Sequence, residues 1–426
     1  MTTATTATAT ETETATETKA TAPREIAGFP REEYESRWSA VQAAAKAAGV
    51  DGVVAASRGG GAPDTYADVF YLTGFRSPFP LTRDVPGWWA GRSHAIAVMP
   101  LESEPTLVTD TEAAIGNAAC GEVRAGANVA EAAAEAIQDR GLAGRRLAFV
   151  GDNAMHVGAF KLMTAALPDT ELVHLDSLIE KVRVVKSPRE LVKMRRAAEV
   201  GTAAMDAMMK AALVPGTTEA QAVAEACRVL VAEGGSLYDA ACASGPTSFK
   251  YSHGQILSWT TRSLEAGDLF HVDFYGTVDG YLWDFARTCV VGGKPTAEQT
   301  AILDAGVEAV EAGMAATRAG VAAKDVYFAT RRVLEKRGVA GEGFGGDSSV
   351  TPGLTADFPA HGHSYGTFWE APWLLPDEDT PLETNMCLAI EVMTGKPGVG
   401  AGKCEQDVIV TDDGCELLTT GPTYYV

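Results

Sequence analysis

Cysteine is scarce and unpatterned: Cys120, Cys227, Cys242, Cys289, Cys387, Cys404 and Cys415 are odd in number and form no CxxC pair. This excludes a disulfide framework and a zinc finger, and it is the usage expected of a chain kept in a reducing cytoplasm. Positive charge is also short, 35 Lys+Arg against 56 Asp+Glu, for a formal net charge of -21. Such a field repels phosphate backbones and anionic headgroups, and even Lys193, Arg195 and Arg196 form no continuous basic tract, so no nucleic-acid partner is expected. No apolar run approaches the ~20 residues that span a bilayer, so no membrane association is expected either. No internal period of a repeat array is visible. The run Gly59-Gly60-Gly61 lacks the spacing of a nucleotide-binding loop and reads as a turn. The first twenty residues, MTTATTATATETETATETKA, have neither the basic start nor the apolar stretch of a secretory signal. With almost nothing to bury, residues 1–24 read as a disordered tail.

What is present is ordinary for a globular chain: 46% hydrophobic residues over 426 positions, enough for two domains. Helix and strand patterns alternate from Pro30 onward, starting with an amphipathic helix that stops at Gly49 and a strand over 52–56. Further strands read at 94–99, 105–108 and 147–150, with an alanine-rich helix over 129–140, which together make an α/β unit. Ser187-Pro188-Arg189-Glu190 is a helix-start signal, with Ser as N-cap, Pro at the first position and Glu at the third. This splits the chain into 25–186 and 187–426.

The chemistry concentrates in the second part. The segment DLFHVDFYGTVDGYLWDFARTCVVGG, 268–293, reads as a β-hairpin about Asp279-Gly280. His271 and Asp273 share a strand face, and Asp284 on the returning strand faces Asp273 across the ladder. A carboxylate among apolar residues needs a compensating cation or donor, and two facing each other point toward a metal. A second cluster, Ala360-His361-Gly362-His363-Ser364-Tyr365-Gly366, adds imidazoles, and Glu391 in CLAIEVM and Glu405 in KCEQDVIV add carboxylates. One His with four carboxylates suits Mn, Fe, Co or Zn in a reactive site rather than a structural zinc. Paired divalent ions on such a set would lower the pKa of a water and hold a substrate oxygen.

The order and spacing of these residues resemble the pita-bread superfamily of prolidases, proline-specific and methionine aminopeptidases, and creatinase. The aspartates are 11 apart, the glutamates 14 apart, and GYLWDFARTCVVGG, GHSYG and EQDVIVTDDGCELLT are similar to the family's surrounding motifs. VRVVKSPRELVKMRRA and FYLTGF look like the linker and amino-terminal segments of the prolidase and creatinase branch. The resemblance implies a creatinase-like amino-terminal α/β domain followed by a pita-bread catalytic domain. It implies two divalent ions, with Mn favoured, on Asp273, Asp284, His363, Glu391 and Glu405. Glu391 would also move the proton of the attacking water, and His253, in ASGPTSFKYSHG, would stabilise the oxyanion. A homodimer is implied as well.

The reaction so implied is hydrolysis of a C–N amide bond, most simply by a Xaa-Pro dipeptidase or aminopeptidase acting on a short peptide. One departure tells against peptides. Where the peptidases carry a HExP segment, this chain has Thr367-Phe368-Trp369-Glu370-Ala371-Pro372, with Trp369 ahead of Glu370. The alternatives are therefore a small-molecule hydrolase or lyase, similar to ectoine hydrolase, creatinase or dimethylsulfoniopropionate lyase, and a non-catalytic binding protein. His361, Trp369 and Glu370 are, with His253, the expected substrate contacts; His271 and His361 also read as supports for the ligands.

Overall fold

The computed structural model describes residues 27–60, 65–77, 79–251, 258–339, 360–396 and 398–426. The tail expected over 1–24 lies outside them. The first part of the chain runs α1 (Arg31–Ala47), β1 (Gly52–Arg58), α2 (Ala67–Thr73), β2 (His94–Pro100), β3 (Thr106–Thr109), β4 (Glu122–Ala125), α3 (Val129–Asp139), β5 (Arg146–Val150), α4 (Val157–Ala165), β6 (Glu171–His174) and α5 (Ser177–Arg183). Its six strands form one mixed sheet in the order β4-β3-β2-β1-β5-β6. Strand parity explains the unbroken apolar runs. Val53, Ala55, Ala95 and Ala97 pack with Tyr34, Trp38 and Leu72, whereas Val54, Ala56, Ile96 and Val98 pack with α3 and α4. A sheet covered on both faces needs apolar residues at odd and even positions alike.

The second part opens with α6 (Pro188–Ala212) and α7 (Glu219–Ala232), then β7 (Gly235–Ser244), α8 (Ser248–Tyr251), β8 (Leu269–Val278) and β9 (Tyr281–Val290). The start of α6 follows the sequence signal: Ser187 Oγ accepts from the Glu190 N–H at 3.2 Å, and Glu190 returns the bond to the Ser187 N–H at 3.0 Å. The chain continues through α9 (Ala297–Ala316), α10 (Ala323–Arg337), β10 (Gly362–Tyr365), β11 (Trp369–Trp373), β12 (Cys387–Lys396), β13 (Gly400–Val410), β14 (Cys415–Leu417) and β15 (Tyr424–Tyr425). Two sheets result, β15-β9-β8-β7 and β11-β10-β12-β13-β14. They meet where β9 packs on β13, with α6 laid against β8 and β9 and α9 against β12 and β13. This is the α/β architecture expected, a first mixed-sheet domain followed by a pita-bread domain.

The hairpin of β8 and β9 turns on Asp279 and Gly280, whose φ values of 52° and 88° are those of a two-residue type I′ turn. That turn fixes the register, pairing Asp273 with Ala286 and Tyr275 with Asp284. Asp273 and Asp284 are therefore diagonal neighbours on one face, a correction to the direct pairing expected from sequence. Glu391 and Glu405 do stand directly opposite each other on β12 and β13.

Candidate metal and catalytic site

Residues on five strands converge where the two sheets meet. β8 supplies Asp273, β9 Asp284, β10 His363, β12 Glu391 and β13 Glu405. Arg287 and Thr288, in the segment GYLWDFARTCVVGG, hold the sheets in this relation. The buried Arg287 donates to the Ala286 carbonyl at 2.9 Å, the Gln406 side chain at 2.8 Å and the Glu405 carbonyl at 2.5 Å. Thr288 Oγ1 accepts from the Lys403 N–H and donates to its carbonyl, both at 2.9 Å. Asp407 adds a third tie, accepting from the backbone N–H of Asp284 at 3.2 Å. The motif residues around Asp284 thus set its distance from β13 as well as its own strand position.

Asp284, His363 and Glu405 each offer a donor atom, and these atoms lie within 4.8 Å of one another. All three side chains are buried, and His363 Nε2 is 3.4 Å from Asp284 Oδ2. Burial, then the neighbouring Asp273, holds the Asp284 carboxyl well above the usual carboxylate range. Burial also raises Glu405, against the lowering effect of Lys403. Burial lowers His363, so its imidazole is neutral and has a lone pair to give. Crowded carboxyls and a neutral imidazole fit a divalent cation, since such an ion compensates the buried charge and takes N and O donors.

Lys403 is a residue the motif reading missed. Its Nζ lies 2.6 Å from Asp273 Oδ2, 2.7 Å from Glu391 Oε2 and 3.3 Å from Glu405 Oε2. Strand alternation could have found it, because a residue two before Glu405 shares its face.

Trp369 touches the cluster directly. Its indole donates to Asp284 Oδ2 at 2.5 Å, and its ring meets those of Tyr275 and Tyr238 at 5.1 and 5.7 Å. The adjacent Glu370, expected to contact substrate, turns the other way on the strand. It is buried against Lys186 Nζ at 2.7 Å and Arg183 Nη1 at 3.3 Å, which accounts for its charge structurally. His361 also points away from the cluster. Its ring lies on Tyr327 at 4.5 Å and its Nδ1 is 2.5 Å from Thr330 Oγ1, and burial pushes its pKa down to about 4. Gly362 permits this divergence: at φ 133° a Cβ would sit 2.0 Å from the Ala389 carbonyl oxygen. His361 still serves the site through its carbonyl, which accepts from the Glu391 N–H at 3.1 Å. His271, on the face of Asp273, is buried beside the Ser248 carbonyl at 3.2 Å and is pushed down to about 4 by burial. His253 lies outside the described residues.

No helix among the described residues is long and apolar enough to cross a membrane. Residues 37–185 match the creatinase/prolidase N-terminal domain, and residues 192–412 match metallopeptidase family M24. An uncharacterized peptidase of Bacillus subtilis, YqhT, is 26% identical over 300 residues, 70% of this chain and 78% of that protein. A probable dipeptidase PepE of Mycobacterium tuberculosis is 29% identical over 253 residues, 58% of this chain, and the match spans about three-fifths of its length, 61%. Among solved structures, dipeptidase PepE from Mycobacterium ulcerans superposes with a TM-score of 0.72 at 26% identity, covering 93% of this chain and 98% of that one. A prolidase from Thermococcus sibiricus shares the fold, with a TM-score of 0.74 at 22% identity over 92% of this chain and 99% of that one. With more than half of its length matched by that family and residues 37–185 by the creatinase/prolidase N-terminal domain, the chain belongs to metallopeptidase family M24 and is a metal-dependent hydrolase.

Proposed function

We propose that this chain hydrolyses the amide bond before proline in a dipeptide or short peptide, using divalent metal held among Asp273, Asp284, His363, Glu391 and Glu405. The observation that carries the metal part is the convergence of Asp284, His363 and Glu405 donor atoms within 4.8 Å in a buried site. The peptide part rests on relatives named as dipeptidases and Xaa-Pro dipeptidases. A divalent cation there supplies a low-pKa water and polarises a carbonyl oxygen. The chain's own groups do the rest. Asp284 and Glu405, whose pKa values burial raises, would hold such an ion in their deprotonated form. Glu391, opposite Glu405 and fixed by the His361 carbonyl, is the carboxylate assigned to take the water's proton and pass it to the leaving nitrogen. His253 is assigned, from sequence alone, to donate to the developing oxyanion. Mn as the working ion, a cytoplasmic location and a homodimer belong to the same reading.

A second reading is a small-molecule hydrolase or lyase, and Trp369 is what favours it. Its indole donates to Asp284 Oδ2, from the segment where the peptidases place a histidine. One experiment separates the two. Mn-loaded protein is offered Xaa-Pro dipeptides and Xaa-Pro-Xaa tripeptides, with Asp284→Asn as control. Proline release lost in the variant supports the peptidase. No release from wild type that holds Mn overturns it and turns the search to amide-bearing metabolites.

A further inference from the structure

The five-residue set was read for two cations, but one cation is already built into it. Lys403 Nζ forms ion pairs with three carboxylates: Asp273, Glu391 and Glu405, at 2.6, 2.7 and 3.3 Å. Seated among these three carboxylates, the ammonium takes up the space from which a second ion would reach their oxygens at about 2.0–2.2 Å. The donor atoms that converge without Lys403 at their centre are those of Asp284, His363 and Glu405.

Lys403 has little room to leave. Strand alternation puts it on the inward face of β13 with Glu405, and the Thr288 hydroxyl pins its N–H and its carbonyl. Only 5% of the residue is exposed, and Met393 stands directly opposite on β12. Withdrawing the head would break three charge-assisted contacts and leave a charge among apolar neighbours.

We propose that the Lys403 ammonium holds one of the two cation positions, so that the chain retains a single divalent ion, at Asp284, His363 and Glu405. One divalent ion and the ammonium together offset three of the four carboxylate charges. The inference rests on the metal-dependent reading given above and makes it more specific: Asp273 and Glu391 are held by Lys403 as an internal counter-ion.

The test counts metal and does not depend on turnover. The full chain is saturated with Mn, dialysed against metal-free buffer and assayed by inductively coupled plasma mass spectrometry, with electron paramagnetic resonance reporting whether ions are spin-coupled. Wild type is expected to keep one Mn per chain with an uncoupled spectrum. Lys403→Met and Lys403→Gln, checked for folding by circular dichroism, are expected to keep two with a coupled spectrum. Two ions in wild type overturn this inference while leaving the metal-dependent reading intact. No retained ion in wild type overturns both. Folded variants that still keep one ion show that Lys403 is not what excludes the second, and overturn it too. Where neither variant folds, the wild-type count decides.

Discussion

Trp369 aims an indole N–H at the same carboxylate oxygen of Asp284 that lies 3.4 Å from His363. A donor on a ligating carboxylate fixes its orientation and tunes how strongly it holds an ion. Trp369→Phe keeps the ring contacts with Tyr275 and Tyr238 and removes the N–H alone. Its Mn affinity, followed by isothermal titration calorimetry, should fall about 10- to 100-fold, the usual effect of losing such a partner. An unchanged affinity would show that the indole only fills space. At this scale the sequence was readable in part. The spacing of Asp273, Asp284, His363, Glu391 and Glu405 brought the carboxylates and the imidazole to one place. The directions of Glu370 and His361 were not legible. Glu370 is claimed by Arg183 and Lys186, far upstream in the chain, and His361 is turned by the positive φ of Gly362. Neither cause is local enough to see in a motif.

Between elements, His94 shows how an imidazole can be a structural joint. It sits on β2, buried, where its Nε2 accepts from the His156 backbone N–H at 3.3 Å and its Nδ1 faces the Arg92 carbonyl at 3.1 Å. His156 is the N-cap of α4. The joint therefore needs a neutral ring, and burial lowers the His94 pKa accordingly. In the unfolded chain the ring titrates near 6.5, so below about that pH the unfolded state binds a proton the folded state refuses. The contribution of His94 to stability should fall as pH drops from about 6.5 toward the lowered folded value, with His271 and His361 acting in the same direction and the raised carboxyls of Asp284, Glu405 and Asp407 in the opposite one. The test is therefore the variant: on going from pH 7.5 to 5.5 the urea midpoint of His94→Gln should move upward relative to that of wild type. An identical pH dependence in the two proteins would contradict this. The elements themselves were largely legible, because caps such as Ser187 and turns such as Asp279-Gly280 are chemical signals. The diagonal placement of Asp273 and Asp284 followed from the length of that turn, which the sequence reading did not carry through to the register.

Across the molecule, the two parts share one core rather than meeting at a seam. Phe29 and Phe70 from the first part set their rings 6.1 and 6.2 Å from Tyr281 of β9. Arg37 of α1, buried, reaches Glu33 and Tyr281 at 3.3 Å and Glu190 of α6 at 3.4 Å. Arg183 and Lys186 hold Glu370 of β11 from the other side. Removing one member of such a buried group leaves a charge without compensation. Lys186→Met should therefore cost about 3–5 kcal/mol in a urea titration, within a single transition for the whole chain. A loss under half of that would mean that Arg183 alone satisfies Glu370.

The buried grip of Arg183 and Lys186 on β11 also bears on modularity. Residues 183–187 are where a two-part chain would ordinarily be most open to a protease and most freely exchanged with a relative's counterpart. Here that stretch is stitched into the catalytic half, so a graft that replaces it must carry the matching partner at position 370, and the amino-terminal half is inherited together with the strand that presents Trp369 to the metal site.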